Sequence, residues 1–260
     1  MREFIFIIPR TPKKHKTTIR ESLWKITLQS LINQSYPSWK AIVVCNDLDE
    51  PLIDNRIIYI KSSVKKKGEK INKAIYYITS KKIKVDFVIR LDDDDLIMPT
   101  TLEDSLKFNF DVYADRYHTF YDLSSGLLSI DKRKWLANTV IHKASHAFKI
   151  CDDTGLHVIN HDHSLMWHEY YKSKIIVYSK KTSPVYIRVL NPVSVSASES
   201  NDYDNYLSFF GNWKYNVPEL FMPYSKLLLN IQKENNLFVE HKRFSLLMNF
   251  KNKLIKTIFK

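Results

Sequence analysis

The sequence predicts an α/β fold in which a mostly parallel sheet carries helices on both of its faces. Over roughly the first hundred of the 260 residues, short apolar runs alternate with stretches of helical periodicity. Continuous apolar runs are typical of strands buried on both faces, and helices between strands are typical of parallel sheets. Apolar residues make up 44% of the chain, which is ample for the packed core of such a fold.

The first two predicted elements are a strand and a helix. The apolar run at residues 4–8 is stopped by Pro9 and indicates a buried strand. Thr18 and Glu21 have the spacing of a capping box, and apolar residues then recur at helical spacing. Because Pro37 disfavours helix at the residue before it, the helix should end shortly before that proline.

Three more strands and a second helix are predicted before residue 92. Apolar runs at 41–45 and 57–60 indicate the second and third strands. A basic loop at 65–70 leads into a helical pattern over 71–79, and the run at 85–91 indicates a central buried strand. This alternation predicts parallel strands joined by helical crossovers.

Four consecutive aspartates, Asp92 to Asp95, follow the central strand. Adjacent carboxylates repel one another, and a divalent cation such as Mg²⁺, held by one or two carboxylates and by substrate phosphates, would make their grouping favourable. Side chains alternate along extended backbone, so Asp92 and Asp94 should face one way and Asp93 and Asp95 the other. The alternative is a solvated acidic turn after a core strand.

Two further polar clusters follow the ends of predicted strands. Pro9 and Thr11 follow the first strand, and Asn46 and Asp47 follow the second. Because ligands bind at the carboxyl ends of the strands in such sheets, these residues and the aspartates should meet at one crevice. The three clusters together indicate a metal–diphosphate site more strongly than the aspartates do alone.

Composition limits the kinds of ligand and partner. The chain has only four glycines and lacks both common glycine-rich phosphate loops, so a nucleotide must be held in another way, for which a metal is the obvious candidate. The formal net charge of +12 favours an anionic partner, which could be nucleic acid, an anionic membrane surface or a phosphorylated substrate.

The cysteines and the hydropathy pattern bear on the cellular compartment. Cys45 and Cys151 form neither a disulfide framework nor a zinc motif, which fits a reducing cytosol. The apolar run at the N-terminus is too short for a signal peptide, and no stretch approaches the roughly 20 apolar residues of a transmembrane helix. We therefore expect a cytoplasmic protein.

Four spaced motifs occur in about the first hundred residues. They are S-L-I-N-Q-S-Y-P at 30–37 with Trp39, I-V-V-C-N-D at 42–47, Gly68 with N-K-A at 72–74, and L-D-D-D-D at 91–95 with Pro99. In this order they resemble the motifs of family 2 glycosyltransferases, which have the Rossmann-like GT-A fold. Several spaced motifs are more specific than any one of them.

The resemblance implies a transferase that moves a hexosyl or related sugar from a nucleotide-diphosphate donor to a hydroxyl of a glycan or lipid-linked acceptor. It implies that Asp94 binds Mg²⁺ or Mn²⁺ directly, with Asp92 beside the ribose or the metal and Asp47 at the base. It further implies that Pro9, Thr11 and a basic residue, either Lys66 or Lys70, lie at the nucleotide. A polar turn at Asp47 and solvated surface lysines are the alternatives.

The resemblance also implies a general base. Family 2 enzymes often carry Glu-Asp ahead of a helix, and this chain has His161 and Asp162 at that point. Asp162 would deprotonate the acceptor hydroxyl as it attacks the anomeric carbon with inversion. Asp162 also suits a helix N-cap, a role that is compatible with catalysis. His161 and His163 would modulate this base, bind acceptor or cap the helix, and His163 is also a candidate metal ligand.

The segment at 184–190 and the serines after it resemble the family's late Y-R-x-H…S-x-S pattern. Arg188 in this segment would contact the diphosphate or serve as a structural strand residue, and Leu190 takes the usual histidine position. His142 and His146 have the i, i+4 spacing of zinc ligands without the accompanying glutamate, and we expect them to be surface or acceptor-pocket histidines.

The predicted domain organisation is one transferase domain with a C-terminal extension. Residues 1–215 would form the GT-A domain, with a nucleotide-binding half at 1–100 and an acceptor-binding half at 101–215. Residues 216–260 would be helical, and the last part has apolar residues at helical spacing among many lysines. Such a basic amphipathic helix binds the inner face of an anionic membrane or packs on the domain.

Two other functions remain as alternatives to transfer of a sugar in bacterial surface polysaccharide synthesis. A catalytically inactive GT-A-like protein that binds membrane or nucleic acid would explain the charge but not the clustered aspartates. A sugar nucleotidyltransferase would carry a glycine-rich N-terminal loop, and residues 4–16 contain no glycine. Nucleic acid is not a favoured partner of the transferase.

Overall fold

The structure is a computed structural model that describes residues 1–47, 54–151, 153–161, 165–194, 197, 202–211, 213–214 and 222–237. Asp162, His163 and the basic tail over 241–260 lie outside the described residues. The described residues fall into two compact units, one within Met1–Phe120 and Ile130–Val189 and the other within Tyr121–Ser129 and Leu190–Lys260. In these ranges no helix is both long enough and apolar enough to cross a membrane.

The described residues of the two units form strands and α-helices. The strands are β1 (Phe4–Pro9), β2 (Trp39–Cys45), β3 (Ile57–Lys61), β4 (Phe87–Arg90), β5 (Leu96–Ile97), β6 (Val112–Ala114), β7 (Tyr117–Asp122), β8 (Leu127–Lys132), β9 (Ile141–Lys143), β10 (Ile176–Tyr178), β11 (Tyr186–Leu190) and β12 (Trp213–Lys214). The helices are α1 (Thr18–Ile32), α2 (Lys67–Ser80), α3 (Thr101–Ser105), α4 (Ala144–Ala147), α5 (Leu165–Tyr171), α6 (Tyr203–Ser208) and α7 (Met222–Glu234).

A seven-stranded sheet forms the centre of the first unit, with the strand order β10-β6-β9-β4-β1-β2-β3. β1 pairs in parallel with β2 and β4, and β2 pairs in parallel with β3. β9 runs antiparallel to both β4 and β6. The predicted α/β class with a mostly parallel sheet is confirmed, and the strands that precede the three polar clusters lie side by side.

Different helices cover the two faces of this sheet because side chains alternate along β1. Burying an isoleucine, leucine or phenylalanine contributes roughly 1.5–3 kcal/mol relative to leaving it exposed, which holds both helices on the sheet. The buried cluster on the α1 face includes Phe4, Phe6, Ile8, Trp24, Leu28 and Leu31. The cluster on the α2 face includes Ile5, Ile7, Ile71, Ala74, Ile75 and Ile78.

The start of α1 differs by one residue from the predicted capping box. Thr17, not Thr18, is the N-cap, and its hydroxyl accepts the backbone N–H of Arg20 at 3.2 Å. Glu21 turns away from the cap and binds Nη2 of Arg10 at 2.6 Å. Because Arg10 offers a charged partner, the glutamate joins the first turn of α1 to the loop after β1.

Helix α2 begins at Lys67, four residues before the predicted start. Gly68 in its first turn allows a close approach of Asn160, whose Oδ1 would lie only 3.1 Å from a Cβ at that position. The Asn160 amide donates to the carbonyl of Gly68 at 3.0 Å and to Oδ1 of Asn72 at 2.8 Å. Glycine has a low helix propensity, but Gly68 permits a contact between α2 and the segment just before Asp162.

The second unit holds the C-terminal helix that the sequence predicts. α7 begins at Met222 and ends at Glu234, within the 216–260 region that the sequence predicts to be helical. Nε2 of Gln232 on this helix donates to the carbonyl of Ser124 at 2.9 Å. β12 pairs with β8, where Trp213 lies opposite Ser129.

Candidate functional site

A cleft of about 110 Å³ lies at the carboxyl end of β1, beside the first turns of α1 and α2 and the aspartate turn. Five of the lining residues are basic and two are acidic, so the cleft is suited to an anion. The residues that line it are Pro9, Arg10, Thr11, Pro12, Arg20, Lys65, Lys67, Lys70, Asp92 and Asp93.

Asp93 is the structural anchor of the aspartate turn. It is 1% exposed and accepts hydrogen bonds from Nη1 of Arg10 at 2.6 Å and from the backbone N–H of Thr11 at 2.7 Å. The hydroxyl of Thr11 and Nη2 of Arg20 also donate to it. Burial alone would raise the pKa of Asp93, but Arg20, Arg10 and Thr11 hold it below its ordinary value. With both oxygens engaged, Asp93 is not free to bind a metal.

Asp92 lies between a cation and an amide. Nζ of Lys67 is 2.6 and 2.7 Å from its two carboxylate oxygens, and Nδ2 of Asn138 donates to it at 2.5 Å. Burial opposes ionisation, yet the charges of Lys67 and Arg90 hold the pKa of Asp92 well below its usual range. Asp92 is therefore an ionised carboxylate at the cleft.

Asp94 and Asp95 are less well compensated. Nη2 of Arg20 lies 3.0 Å from Asp94, whose side chain is 15% exposed. Burial and the charges of Asp93 and Asp92 raise the pKa of Asp94 to about 6, although Arg20 opposes them. Burial and the neighbouring carboxylates also raise the pKa of Asp95, which accepts the backbone N–H of Val189 at 3.2 Å.

The four aspartates do not alternate as extended backbone would require. The backbone N–H of Asp95 bonds to the carbonyl of Asp92 at 3.3 Å, so the segment is a turn. Arg20 consequently reaches both Asp93 and Asp94, which were expected to face opposite ways. Their exposure nevertheless alternates, since the side chains of Asp92 and Asp94 are 19% and 15% exposed while Asp93 and Asp95 are 1% and 3% exposed.

The donor chemistry of this turn fits a divalent cation. Carboxylate oxygens suit Mg²⁺ and Mn²⁺, and a cation beside Asp94 would favour its ionised form against burial and the charges of Asp93 and Asp92, which raise its pKa. In the described part of the chain, no three acidic, histidine or cysteine side chains are arranged to hold a metal ion. A metal at Asp94 and Asp92 would therefore take its other ligands from water and from substrate phosphates.

Four of the residues predicted to bind the cofactor line the cleft: Pro9, Thr11, Lys70 and Asp92. Lys70 is 1% exposed, and its ammonium donates to the carbonyl of Arg10 and to Oδ1 of Asn46 at 2.5 and 2.6 Å. Burial lowers the pKa of Lys70. Its ammonium is thus engaged by the segments that follow β1 and β2. Lys67, which also lines the cleft, pairs with Asp92 instead.

The other predicted residues lie on neighbouring segments. Asp47 follows β2 and pairs with Lys16 at 3.0 Å, and its second oxygen is buried without a hydrogen bond. Lys66 is the N-cap of α2, where its side chain makes no capping bond. Arg188 lies in β11, and its charge lowers the pKa of Asp95, though burial is the larger effect in the opposite direction.

The sequence did not single out Lys67, Arg20 or Asn138. Lys67 lay within the basic 65–70 loop, and its three-residue spacing from Lys70 would place both on one helix face. Arg20 lay in an ordinary helical pattern, and Asn138 lay in a stretch with no motif. Only their contacts with Asp92, Asp93 and Asp94 reveal them.

His142 and His146 do not share a metal site. His142 lies in β9, not in a helix, and its Nδ1 is 2.8 Å from Oη of Tyr171. Burial lowers the pKa of His142 to about 3, so the ring is neutral. His146 lies in α4, 3.1 Å from Oη of Tyr170 and 3.2 Å from Asp111. Each histidine has separate structural partners, so the i, i+4 spacing carries no zinc chemistry here.

No protein-family model and no curated protein matches the chain. Among solved structures, S. aureus TarS is similar at 17% identity and a TM-score of 0.48, over 73% of this chain and 37% of TarS. The glycosyltransferase GlyE from Streptococcus pneumoniae TIGR4 is similar at 9% identity and a TM-score of 0.42, over 93% of this chain and 66% of GlyE.

A Desulfovibrio desulfuricans G20 protein, provisionally assigned as a nucleotide-diphospho-sugar transferase, is similar at 11% identity and a TM-score of 0.41. The match covers 89% of this chain and 99% of that one. This chain spans little more than a third of TarS and just under two thirds of GlyE.

Proposed function

We propose that this chain is a metal-dependent glycosyltransferase of the family 2 type with a GT-A fold. It would transfer a sugar, with inversion, from a nucleotide-diphosphate donor to a hydroxyl of a glycan or lipid-linked acceptor in surface polysaccharide synthesis. The observation that carries the proposal is the cation-lined cleft at the end of β1, bordered by the aspartate turn. The basic side chains of the cleft would bind an anionic ligand, and the carboxylates of the turn would bind a divalent cation.

The aspartates would have different roles, metal binding or structural support, according to their contacts. Asp94, whose pKa is raised by burial and by its neighbours, would bind Mg²⁺ or Mn²⁺ together with Asp92. The metal would supply Lewis-acid stabilisation of the departing diphosphate. Asp93 would take no ligand, because its four hydrogen bonds tie the loop after β1 to the turn.

The donor would be oriented by this chain's side chains around the cleft. Arg20 and Lys65 would face the phosphates, and Thr11 would fix the loop that borders them. Asp47 would accept an N–H of the base. Lys66 and Arg188 would add positive charge near the nucleotide and the diphosphate of the donor. Holding both reacting groups in place converts a bimolecular reaction into an effectively intramolecular one.

Asp162 would be the general base. The carbonyl of His161, the residue before it, accepts a hydrogen bond from Nη1 of Arg90 at 3.0 Å. Arg90 is the last residue of β4, two positions before Asp92. This tie supports a base that enters the site near the aspartate turn. His161 and His163 would modulate this base or contact the acceptor, and His163 is a further candidate metal ligand.

The wider assignments are proposals of the same kind. Residues 1–215 would form the catalytic domain, and the basic residues of the 241–260 tail would bind the inner face of an anionic membrane. Such a peripheral position would bring the cytoplasmic cleft to a lipid-linked acceptor.

The test is a titration of the purified protein with UDP, GDP, CDP and ADP, with Mn²⁺ and with EDTA, for wild type and Asp94→Asn. We expect one nucleotide to bind only with the metal, and the variant to lose that binding. Asp131→Asn is the matched control, because Asp131 also pairs with an arginine, at 3.1 Å, but lies on β8. Failure of wild type to bind any of the four, with or without metal, would overturn the proposed activity.

The base is tested separately with sugar donors of the nucleotide found. Asp162→Asn should bind the nucleotide as wild type does and lose transfer or donor hydrolysis. Equal turnover by this variant and wild type would exclude Asp162 as the base.

A further inference from the structure

The cation nearest to Asp92 belongs to the cleft and not to the core. Lys67 lies in the first turn of α2, its side chain is 44% exposed, and its ammonium is 2.6 Å from one oxygen of Asp92. The Asp92 side chain is 19% exposed. An ion pair this open is only weakly stabilising, since solvent screens the charges and a long side chain must be held in one geometry. Lys67 can therefore leave Asp92 when another cation takes its place beside the carboxylate.

Asp92 keeps its orientation when Lys67 leaves. Nδ2 of Asn138 donates to it at 2.5 Å, and Asn138 is only 4% exposed. This amide is neutral, so it fixes the carboxylate without competing with a cation for its charge. Asp92 is thus held from one side by a fixed amide and from the other by a displaceable ammonium.

The other cations of the cleft differ in how freely they could change partner. Arg10 is 4% exposed and bound to Asp93 and Glu21, and Lys70 is 1% exposed and bound to the carbonyl of Arg10. Arg20 bridges Asp93 and Asp94. Lys67, with its exposed side chain and a single acidic partner, is the most readily exchanged of the cations that pair with the turn.

We propose that Lys67 is a phosphate-binding residue whose ammonium occupies Asp92 until a divalent cation takes that carboxylate. The cation displaces Lys67, which then turns its charge to the diphosphate of the donor in the same cleft. Metal and donor therefore bind with positive coupling through one lysine. This inference rests on the proposed function and adds to it the order of events and the residue that links metal to phosphate.

Two opposite effects of one substitution follow from this exchange. In Lys67→Met, Asp92 has lost its competing cation, so Mn²⁺ alone should bind tighter by roughly three- to fivefold, the range of an exposed ion pair. At saturating Mn²⁺, the best nucleoside diphosphate of the panel should bind weaker by roughly tenfold or more, because a charge-assisted hydrogen bond is lost. Loss of structure in the variant would weaken the binding of both ligands and would not tighten the binding of Mn²⁺.

The matched control is Lys73→Met, which removes the same charge from an exposed position of the same helix. It should leave both affinities close to those of wild type. A double-mutant cycle with Asp92→Asn locates the effect, since Lys67→Met should no longer tighten Mn²⁺ binding once Asp92 carries no charge. Metal binding is measured by electron paramagnetic resonance of free Mn²⁺, and nucleotide binding by calorimetry.

The outcomes separate this inference from the proposed function. Tighter metal binding and weaker nucleotide binding in Lys67→Met, with the tightening of metal binding lost in the Asp92→Asn background, support the exchange. Wild type that binds metal and nucleotide while Lys67→Met behaves like Lys73→Met overturns the exchange and leaves the transferase proposal standing. Wild type that binds neither metal nor any nucleoside diphosphate overturns both.

Discussion

Aspartates follow two buried strands of the same sheet, and their hydrogen-bond partners differ in charge. Asp92 and Asp93 follow β4 and are surrounded by cations: Lys67, Arg10 and Arg20. Asp115 follows β6 and accepts hydrogen bonds from three neutral donors, the hydroxyl of Ser179 and the backbone N–H groups of Val185 and Tyr186.

The consequence is a difference in charge. The cations hold the pKa of Asp92 and Asp93 low although burial opposes them, whereas burial raises the pKa of Asp115 to about 7 in spite of its hydrogen bonds. An aspartate after an apolar strand is thus a fully ionised site residue or a partly protonated structural one according to its partners. Four substitutions break or sharpen this contrast, from the largest expected effect to the smallest.

The largest effect should come from Asp93→Ala. This change removes the buried one of the two acidic partners of Arg10, which is itself 4% exposed, and all four hydrogen bonds that the Asp93 carboxylate accepts. Breaking a buried ion pair costs roughly 3–5 kcal/mol, so the free energy of unfolding in urea should fall by about that amount. Asp131→Ala, which breaks a more exposed pair, should cost at most roughly 1 kcal/mol. Equal losses in the two variants would contradict the anchoring role of Asp93.

Asp94→Asn should separate function from stability. Loss of an electrostatic stabiliser of the transition state typically costs roughly 10²–10³ in kcat, and we expect a loss of this size in donor hydrolysis at saturating Mn²⁺. Because burial and the neighbouring carboxylates raise the pKa of Asp94, removing its charge should not destabilise the fold. A strong loss of unfolding free energy, comparable with that of Asp93→Ala, would place Asp94 among the anchors instead.

Asp115 should impose a pH dependence on stability. Its folded-state pKa of about 7 lies above the ordinary value of 3.8, so between these values the folded chain binds more protons than the unfolded chain. The free energy of unfolding should therefore fall as pH rises from about 4 to about 7, by at most roughly 1.4 kcal/mol per pH unit from this group. Asp115→Asn should flatten that part of the profile in urea titrations. A slope that persists unchanged in the variant would assign it to other groups.

The smallest effect should come from Ser179→Ala, which removes one neutral donor from Asp115. At pH 5, where Asp115 is protonated, the loss should be roughly 1 kcal/mol, the usual net value of a neutral hydrogen bond. At pH 8 the loss should be larger, because the hydroxyl then donates to a carboxylate. Chemical unfolding at both pH values tests this ordering, and a loss that is larger at pH 5 would contradict it.

Much of the fold could be predicted because its signals are local. Apolar runs gave β1, β2 and β3 to within two residues at each end, and the helical pattern gave α1. The early start of α2 could not be predicted, because glycine disfavours helix locally and the contact of Gly68 with Asn160 comes from 92 positions along the chain. Likewise, His142 lies in β9 because it pairs between β4 and β6, and periodicity over a few residues does not report such pairing.

The sequence by itself determined that four aspartates end a buried central strand beside two other polar strand ends, because strand burial and parallel order follow from local apolar patterns. Only the tertiary structure decided that Asp93 is an anchor, that Asp92 is held by Lys67 and Asn138, and that burial and neighbouring carboxylates raise the pKa of Asp94. The reason is physical: the protonation and availability of a carboxylate depend on burial and on charges within a few ångströms. Lys67 and Asn138 come within that distance of Asp92 from 25 and 46 positions away along the chain.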